Sequence, residues 1–216
     1  MKLRSIVFDL DGTLVDSVGV CVAIFREMLV ERGCTSFPPQ EVLHSSVSLG
    51  GEVMIRRVFG TYSTTPKQDL AEFRKRYAQH PTPPESLYTG VREILTALKS
   101  EGIGLAVCTK KPTALATKVL AELALVPFFQ VVSCADAVPY PKPDRRHLLT
   151  VLAELNCQPA HALMVGDSRS DFDLARDAEV PFGFARYGYG RHEVDEHVCD
   201  VVLESMSDLF DWVTSR

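Results

Sequence analysis

Two aspartates stand two residues apart at the end of an apolar run near the start of the chain. Residues 5–8 predict a buried strand, Asp9 and Asp11 follow it, and Gly12 permits a sharp turn directly afterwards. Two carboxylates held this close repel each other unless positive charge lies between them. A divalent cation, or a phosphoryl group with its metal, would supply that charge, so the segment indicates metal-assisted chemistry on an anion.

Further polar residues follow other apolar runs. Thr109 and Lys110 come after the run 103–108, and the segment 166–171 follows the run 162–165. Lys142 lies between two prolines ahead of a predicted helix. Because ligands of open α/β sheets bind outside the carboxyl ends of the strands, we expect these side chains to converge on one edge.

Each of these residues also has a simpler interpretation on its own. Asp11, Asp167 or Thr109 would serve as the N-cap of a following helix, as Asp144 is expected to do, and a single loop lysine such as Lys142 is usually solvated. The simple interpretations are less convincing for the set together. Almost every strand with a polar end supplies a residue suited to phosphoryl transfer.

The elements that must position these residues alternate between strand and helix, which predicts an α/β fold with a parallel sheet covered on both faces. The predicted strands after the first are residues 103–108, 129–132, 162–165, 181–184 and 201–203. The predicted helices of this part are residues 91–100, 113–123, 146–155 and 206–213.

Residues 16–87 interrupt this alternation, because they contain apolar residues at helical spacing and no convincing strand. Helices are predicted over residues 20–32, 52–59 and 65–79, the last with Thr65 as N-cap, Pro66 at the first position and Gln68 completing a capping box. We therefore expect a Rossmann-like core formed by residues 1–15 and 88–216, with residues 16–87 inserted as a helical cap.

Composition narrows the class of protein. The chain has 216 residues, which allow one full core and a smaller inserted unit, and a formal net charge of −5 without a dominant basic run, which argues against nucleic-acid binding. Its six cysteines form no C-x-x-C pair, so we expect reduced thiols and a cytoplasmic protein. We see no signal-peptide pattern and no apolar run long enough to cross a membrane.

The motifs together identify the chain as resembling the haloacid dehalogenase superfamily, in the subfamily with a helical cap after the first strand. The segment 8–13 matches the first motif of that superfamily, Thr109 the second, Lys142 the third and the segment 166–171 the fourth. The resemblance covers nearly the whole chain. Residues 10–17 and 166–169, with the loop 187–190, are most similar to phosphoglycolate phosphatases.

The resemblance implies a catalytic role for the two opening aspartates. Asp9 would attack phosphorus to form an aspartyl-phosphate, and Asp11 would protonate the leaving oxygen and then activate water. Thr109 and Lys142 would bind the phosphoryl oxygens. Lys110 occupies a position where the phosphoglycolate phosphatase group commonly has Asn, and its main-chain N–H would still be able to bind phosphate.

The resemblance also implies a Mg²⁺ site. The ion would be held by the carboxylates of Asp9 and Asp167 and the main-chain carbonyl of Asp11, with Asp171 supporting this shell directly or through water. In the cap, Gly50 and Gly51 are the expected substrate-facing loop, and Arg56 is a candidate for binding a substrate carboxylate. The alternative for these cap residues is a flexible turn and a solvated arginine.

We therefore expect a Mg²⁺-dependent phosphatase for a small phosphorylated metabolite, without nucleic-acid or membrane partners, as a monomer or homodimer. A sugar phosphomutase and a pyrophosphatase on the same scaffold remain open. Phosphonate hydrolysis is less favoured because Lys67 and Lys75 lie in strongly polar helix positions, and dehalogenation because it would not need Asp11. A non-catalytic phospho-binding module, such as a receiver, is the alternative of another class. Phosphoglycolate, pyrophosphate, a sugar phosphate and a nucleotide monophosphate all remain possible substrates.

Overall fold

A single parallel sheet forms the centre of the molecule. In the computed structural model, which describes residues 3–215, its strands are β1 Ser5–Phe8, β2 Gly104–Thr109, β3 Val131–Cys134, β4 Ala162–Gly166, β5 Phe182–Ala185 and β6 Val201–Leu203. They pair in the order β3-β2-β1-β4-β5-β6. Phe8 is opposite Val107 of β2 and Val165 of β4, so the first strand ends between two parallel neighbours.

Nine α-helices are found in the described part of the chain. They are α1 Val18–Glu31, α2 Gln40–Val47, α3 Gly51–Phe59, α4 Pro66–Gln79, α5 Val91–Ser100, α6 Thr113–Glu122, α7 Arg145–Glu154, α8 Arg169–Asp177 and α9 Ser207–Thr214. Short 3₁₀ turns lie at Gly60–Tyr62, Pro84–Ser86, Val126–Phe128, Pro159–His161 and Glu196–Val198. The predicted α/β class and parallel sheet are confirmed.

Side chains of the sheet alternate between two apolar clusters because successive residues of a strand point to opposite faces. Ile6 and Phe8 pack into one cluster, which continues into the inserted helices, and Val7 packs into the other with α7 and α8. Every residue of β1 is buried. Helices on both faces therefore fix the strand whose end carries Asp9.

Helices α1 to α4 lie between β1 and α5 and pack on one another through aromatic contacts. Phe25 of α1 stacks on Phe73 of α4 with ring centroids 5.0 Å apart, and Arg32 pairs with Asp69 at 2.7 Å. The chain enters and leaves this group side by side, since the Asp16 amide donates to the Ser86 carbonyl at 2.7 Å. We refer to residues 16–87 as the helical insertion.

Several local predictions differ from the structure. Helices α2 and α8 were not predicted; α8 begins with a capping box between Ser168 and Asp171, and the sequence analysis had assigned Asp171 to the metal site alone. The capping box predicted at Thr65 is wrong, since the Thr65 side chain makes no capping hydrogen bond, although Thr65 and Pro66 do begin α4. A strand was predicted over residues 129–132, whereas β3 begins at Val131. A 3₁₀ turn at Val126–Phe128 precedes it.

All six cysteines are free, as predicted, and five of them are buried. Within residues 3–215, none of the helices combines the length and the apolar character that a membrane crossing requires.

Candidate active site

The carboxyl ends of the central strands bring the predicted polar residues together. Asp9 directly follows β1, Thr109 ends β2, and Asp167 directly follows β4. Lys142 comes from the loop before α7 and is 6% exposed, so it is not the solvated loop lysine of the simpler interpretation. Asp144 is the N-cap of α7, where its side chain accepts a hydrogen bond from the Arg146 amide, as predicted.

Three acids form a compact cluster at this edge. One carboxylate oxygen from each of Asp9, Asp167 and Asp171 lies within 4.8 Å of the others. Lys142 Nζ donates to Asp9 at 2.9 Å and to Asp171 at 2.6 Å, while its side chain is only 1% exposed. A single buried lysine thus faces three carboxylates, which leaves an excess of negative charge and a set of hard oxygen donors suited to Mg²⁺.

The electrostatics of the cluster follow from burial and from Lys142. Burial raises the pKa of Asp9 to about 6, although the Lys142 charge opposes the rise. Burial and the charge of Asp171 raise the pKa of Asp167 well above its usual value. Burial also works against ionisation of Asp171, but Lys142 outweighs it and holds the pKa of Asp171 below its usual value. The metal-free site therefore holds protons that a cation would displace.

Asp167 is positioned by the loop 187–190. The amides of Tyr189 and Gly190 donate to its Oδ2 at 2.7 and 3.4 Å. A Cβ at Gly188 would collide with the Asp167 side chain and with the Gly12 carbonyl. The glycine at 188 is thus required by close packing, and the loop 187–190 contacts a candidate metal ligand directly.

Asp171 is held from two sides. The Ser168 amide and hydroxyl donate to its Oδ2 at 3.1 and 2.7 Å, and Lys142 donates to Oδ1. These three donors hold the Asp171 carboxylate in place, and its support of a metal site, directly or through water, stays a prediction.

Lys142 is in turn positioned by a buried histidine that sequence reasoning did not identify. The Lys142 amide donates to His147 Nδ1 at 3.2 Å, and His147 Nε2 lies 3.0 Å from the Ser133 hydroxyl. Burial and the Lys142 charge lower the pKa of His147 to about 4. A neutral ring with Nδ1 as acceptor must carry its proton on Nε2, which then donates to Ser133. The signal available in the sequence was a histidine in the first turn of the helix that follows Lys142.

Asp11 lies apart from the three-acid cluster. Its two carboxylate oxygens accept hydrogen bonds from Lys111 Nζ at 2.9 and 3.0 Å. Lys111 Nζ also lies 3.1 Å from the hydroxyl of Tyr77 in α4. Asp9 and Asp11 therefore bind different lysines, Lys142 and Lys111. The predicted contribution of the Asp11 main-chain carbonyl to a metal stays a prediction.

The lysine at 111 is a residue that sequence reasoning missed, because attention fell on Lys110. The Lys111 side chain is 8% exposed and enters the site, whereas Lys110 is exposed and lines the outer part of the cavity. Thr109 is 2% exposed, and its Oγ1 accepts a hydrogen bond from the Lys111 amide at 3.1 Å. Whether Thr109 and Lys110 bind phosphate stays a prediction.

A cavity between the core and the insertion opens onto these acids. Its core wall includes Asp9, Asp11, Thr109, Lys142 and Asp167. Its insertion wall includes Val47, Ser48, Gly50, Gly51, Met54, Leu70, Phe73, Arg74 and Tyr77. Gly50 and Gly51 therefore line this cavity, and their expected contact with a substrate stays a prediction.

Arg56 does not line this cavity. Its side chain is 64% exposed and pairs with Glu52 at 3.2 Å, one helical turn earlier. Arg74 of α4 is exposed and also lines the cavity. Arg76 does face outward, where it pairs with Glu31 and Glu72. The rotation of α4 about its axis, which the sequence alone left open, decides which of these cations faces the site.

Comparisons with known proteins agree with this arrangement. Residues 6–185 match the model of the haloacid dehalogenase-like hydrolase family. The phosphoglycolate phosphatase of Agrobacterium fabrum is 35% identical over 208 residues, covering 94% of this chain and 89% of that protein. The N-acetylmuramic acid 6-phosphate phosphatase of Pseudomonas aeruginosa is 31% identical over 216 residues, covering 98% of this chain and 95% of that protein.

A solved structure shares the fold. The crystal structure of a protein described as a predicted phosphoglycolate phosphatase from Haemophilus somnus gives a TM-score of 0.84 at 23% identity and covers 98% of both chains. At this level of identity the likeness concerns the fold, including the arrangement of the sheet and of the helices on it.

Proposed function

Because the chain belongs to the haloacid dehalogenase-like hydrolase family, we propose that it is a Mg²⁺-dependent phosphatase that hydrolyses the phosphate monoester of a small metabolite. The observation that carries this proposal is the three-acid cluster with Lys142 at the edge of the sheet. Relatives named as phosphatases of phosphoglycolate and of N-acetylmuramic acid 6-phosphate support phosphate monoesters as the substrate class.

The donor set suits Mg²⁺ by its chemistry. Asp9 and Asp167 offer carboxylate oxygens within reach of one ion. Asp171, whose Oδ2 accepts a hydrogen bond from the Ser168 hydroxyl, would support this shell. Hard oxygen ligands with a net negative charge are what this cation prefers over nitrogen or sulfur. When bound, Mg²⁺ would supply positive charge to the phosphoryl oxygens and lower the barrier to attack by another anion.

Each residue then has a distinct part in the reaction. Asp9 attacks phosphorus, and the ester oxygen leaves as the aspartyl-phosphate forms. Asp11 gives a proton to that leaving oxygen, and the resulting carboxylate takes a proton from the water that hydrolyses the aspartyl-phosphate. Lys142 and Thr109 bind the phosphoryl oxygens that develop charge.

We propose that residues 16–87 act as a cap, which selects the substrate and excludes water. Support comes from the cavity, whose insertion wall is formed by residues of α2, α3, α4 and the turn between α2 and α3. The chain enters and leaves the insertion at one place, where the Tyr88 amide donates to the Leu14 carbonyl at 3.2 Å. Two connecting segments that run side by side between the core and the insertion suit a hinge.

A sugar phosphomutase and a pyrophosphatase would use the same residues, and they differ in which group receives the phosphoryl group. A non-catalytic phospho-binding protein would not need Asp11 beside the substrate cavity. The proposal therefore favours hydrolysis and makes the alternatives outcomes of the assay.

The test is hydrolysis of phosphoglycolate and of an aryl phosphate with Mg²⁺, compared between the native chain and Asp9→Asn. We expect native turnover to require Mg²⁺ and Asp9→Asn to lose at least about 1,000-fold, since it lacks the attacking group. Asp177→Asn, the same chemical change at the exposed end of α8, is the control and should keep native turnover. Equal activity of the native and Asp9→Asn proteins would refute the proposal. Transfer between two sugar positions without release of phosphate would favour the mutase.

A further inference from the structure

The two carboxylates proposed to act directly on the substrate are held by different parts of the molecule. Asp9 is held by Lys142, which belongs to the core, and within residues 3–215 the hydrogen bonds of Lys142 go to core residues. Asp11 is held by Lys111, and Lys111 also contacts Tyr77 of the insertion. Only the second carboxylate is therefore linked to the insertion by this chain of contacts.

The Asp11–Lys111 contact is bidentate. One ammonium group reaches both carboxylate oxygens, at 2.9 and 3.0 Å, and these are the side-chain hydrogen bonds that Asp11 makes within the described residues. The contact therefore fixes the rotation of the carboxylate about its last bond, which is otherwise broad. Without Lys111, no other donor in this part of the chain would hold the group toward the cavity.

Tyr77 restrains Lys111 in two ways. Its hydroxyl lies 3.1 Å from Lys111 Nζ, and the same Nζ lies 4.2 Å from the centre of its ring, a favourable position for a cation. Tyr77 is 2% exposed and packs against Phe73, which stacks on Phe25 of α1. The aromatic core of the insertion therefore fixes the position of the Tyr77 ring.

Partial burial strengthens the contact between Asp11 and Lys111. The Lys111 side chain is 8% exposed and the Asp11 side chain 23%. In such a partly desolvated place a charge-assisted hydrogen bond is stronger than at the surface.

We propose that Lys111 is a positioning residue that aims the Asp11 carboxyl group at the leaving oxygen by holding the oxygen that does not carry the transferred proton, and that Tyr77 makes this aim depend on the placement of α4. The inference rests on the proposed phosphatase function and on the proton-transfer role of Asp11. It assigns to the insertion a part in catalysis besides the selection of substrate. An insertion displaced from the core would carry Tyr77 away and release Lys111.

The readout is the dependence of kcat/KM on the acidity of the leaving group, measured with a series of substituted aryl phosphates. A poor leaving group needs its proton from Asp11 during bond cleavage, whereas a good one leaves as an anion. We expect Lys111→Met to lower kcat/KM by roughly 100-fold for the substrate with the poorest leaving group, which is near the lower end of the rate enhancement that a general acid contributes. The decrease should be much smaller for the substrate with the best leaving group.

The matched control is Lys110→Met, which removes the same charge from the adjacent residue of the same cavity without touching Asp11. It should lower kcat/KM by a similar factor for every member of the series, so that the dependence on leaving group keeps its native slope. Tyr77→Phe keeps the ring and removes the hydroxyl, and it should steepen the slope in the same direction as Lys111→Met by a smaller amount, about 3- to 10-fold across the series. Lys111→Arg keeps charge and donors and should restore part of the native slope.

The outcomes separate the two proposals. No hydrolysis of any ester by the native protein with Mg²⁺ refutes the proposed function, and this inference with it. Native hydrolysis together with an unchanged slope in Lys111→Met refutes the inference alone, as does an equal steepening in Lys110→Met. If Lys111→Met does not fold, as thermal unfolding would reveal, Tyr77→Phe decides, and a native slope in that variant refutes the link to α4.

Discussion

The core wall and the insertion wall of the cavity differ in how firmly their residues are held. On the core wall, Asp167 and Asp171 each accept hydrogen bonds from donors on other residues, and a Cβ at Gly188 would collide with Asp167. On the insertion wall, a Cβ at Gly50 or Gly51 would meet no atom within 4 Å. A stretch of wall with open space around it, as at Gly50 and Gly51, can change without disturbing the acids, so one site can keep its chemistry while its substrate changes.

The largest expected difference between the walls concerns their cations. Lys142→Met would leave three clustered carboxylates without their buried counter-charge. We expect the metal-free protein to lose about 3–5 kcal/mol of unfolding free energy, and turnover with saturating Mg²⁺ to fall about 100- to 1,000-fold. Denaturant unfolding in EDTA and phosphate release measure the two effects.

The control for this change is Lys75→Met, at an exposed position of α4 on the insertion. A surface substitution of this kind should alter the free energy of unfolding by less than about 0.5 kcal/mol. A similar loss of stability in both variants would mean that the core cluster has no special need of its lysine, and the contrast between the walls would fail.

Glycines provide the next comparison. Gly188→Ala should push Asp167 out of place and weaken Mg²⁺ binding about 10- to 100-fold, the usual cost of disturbing a group that supports a metal ligand. Gly51, with φ of 57°, has open space around it but a backbone conformation that alanine adopts poorly. Gly51→Ala should therefore cost roughly 1–2 kcal/mol of unfolding free energy and leave the affinity for Mg²⁺ unchanged. Calorimetric titration with Mg²⁺ tests both, and equal affinities in the two variants would contradict the expectation.

The pH dependence of Mg²⁺ binding is a property of the core wall alone. Burial raises the pKa of Asp9 to about 6, so the folded, metal-free protein keeps this proton up to about pH 6 and Mg²⁺ must displace it. Affinity should therefore fall as the pH is lowered below 6, by about tenfold per unit for each proton released, and should change little with Asp9 above pH 7.

The raised pKa of Asp167 would make this dependence steeper and extend it upward in pH. Arg74→Ala, on the insertion wall, should shift neither the slope nor the midpoint, whereas Asp9→Asn should reduce the slope by one proton. An affinity that stays constant between pH 5 and 7 in the native protein would show that Asp9 is ionised without the metal.

The same contrast explains what the sequence was able to predict. The α/β class, the parallel sheet and the convergence of Asp9, Thr109, Lys142 and Asp167 follow from apolar runs that end in polar residues, because parallel strands present their carboxyl ends at one edge. That convergence depends on topology and needs no knowledge of how a side chain turns.

The sequence left side-chain direction open. Lys110 and Lys111 are adjacent after β2, and only the path of the chain beyond the strand decides that Lys111 turns inward to Asp11. Arg56 and Arg74 lie on amphipathic helices whose rotation is set by tertiary packing. Prediction was thus best where the fold alone places a residue, and poorest where the direction of a single side chain decides, on either wall.

The smallest expected effect tests the insertion wall itself. Arg74 is exposed and lines the cavity, and within residues 3–215 none of the salt bridges includes it, so its charge is available to a substrate. A substrate with a second anionic group, such as phosphoglycolate, would gain about 1 kcal/mol from a cation in this partly solvated position. Arg74→Ala should therefore raise KM for phosphoglycolate about fivefold with little change in kcat, and leave unaltered the KM for an aryl phosphate that has no second anionic group.

Arg56→Ala is the control for that variant, because it removes the same side chain from the same insertion outside the cavity. If Arg56→Ala raises KM for phosphoglycolate as much as Arg74→Ala does, the charge of the insertion acts at long range, and high salt should then abolish both effects. If only Arg74→Ala raises KM, a local contact selects the substrate. A fall in kcat with KM unchanged would instead connect Arg74 to the chemistry, and the division of labour between the two walls would not hold.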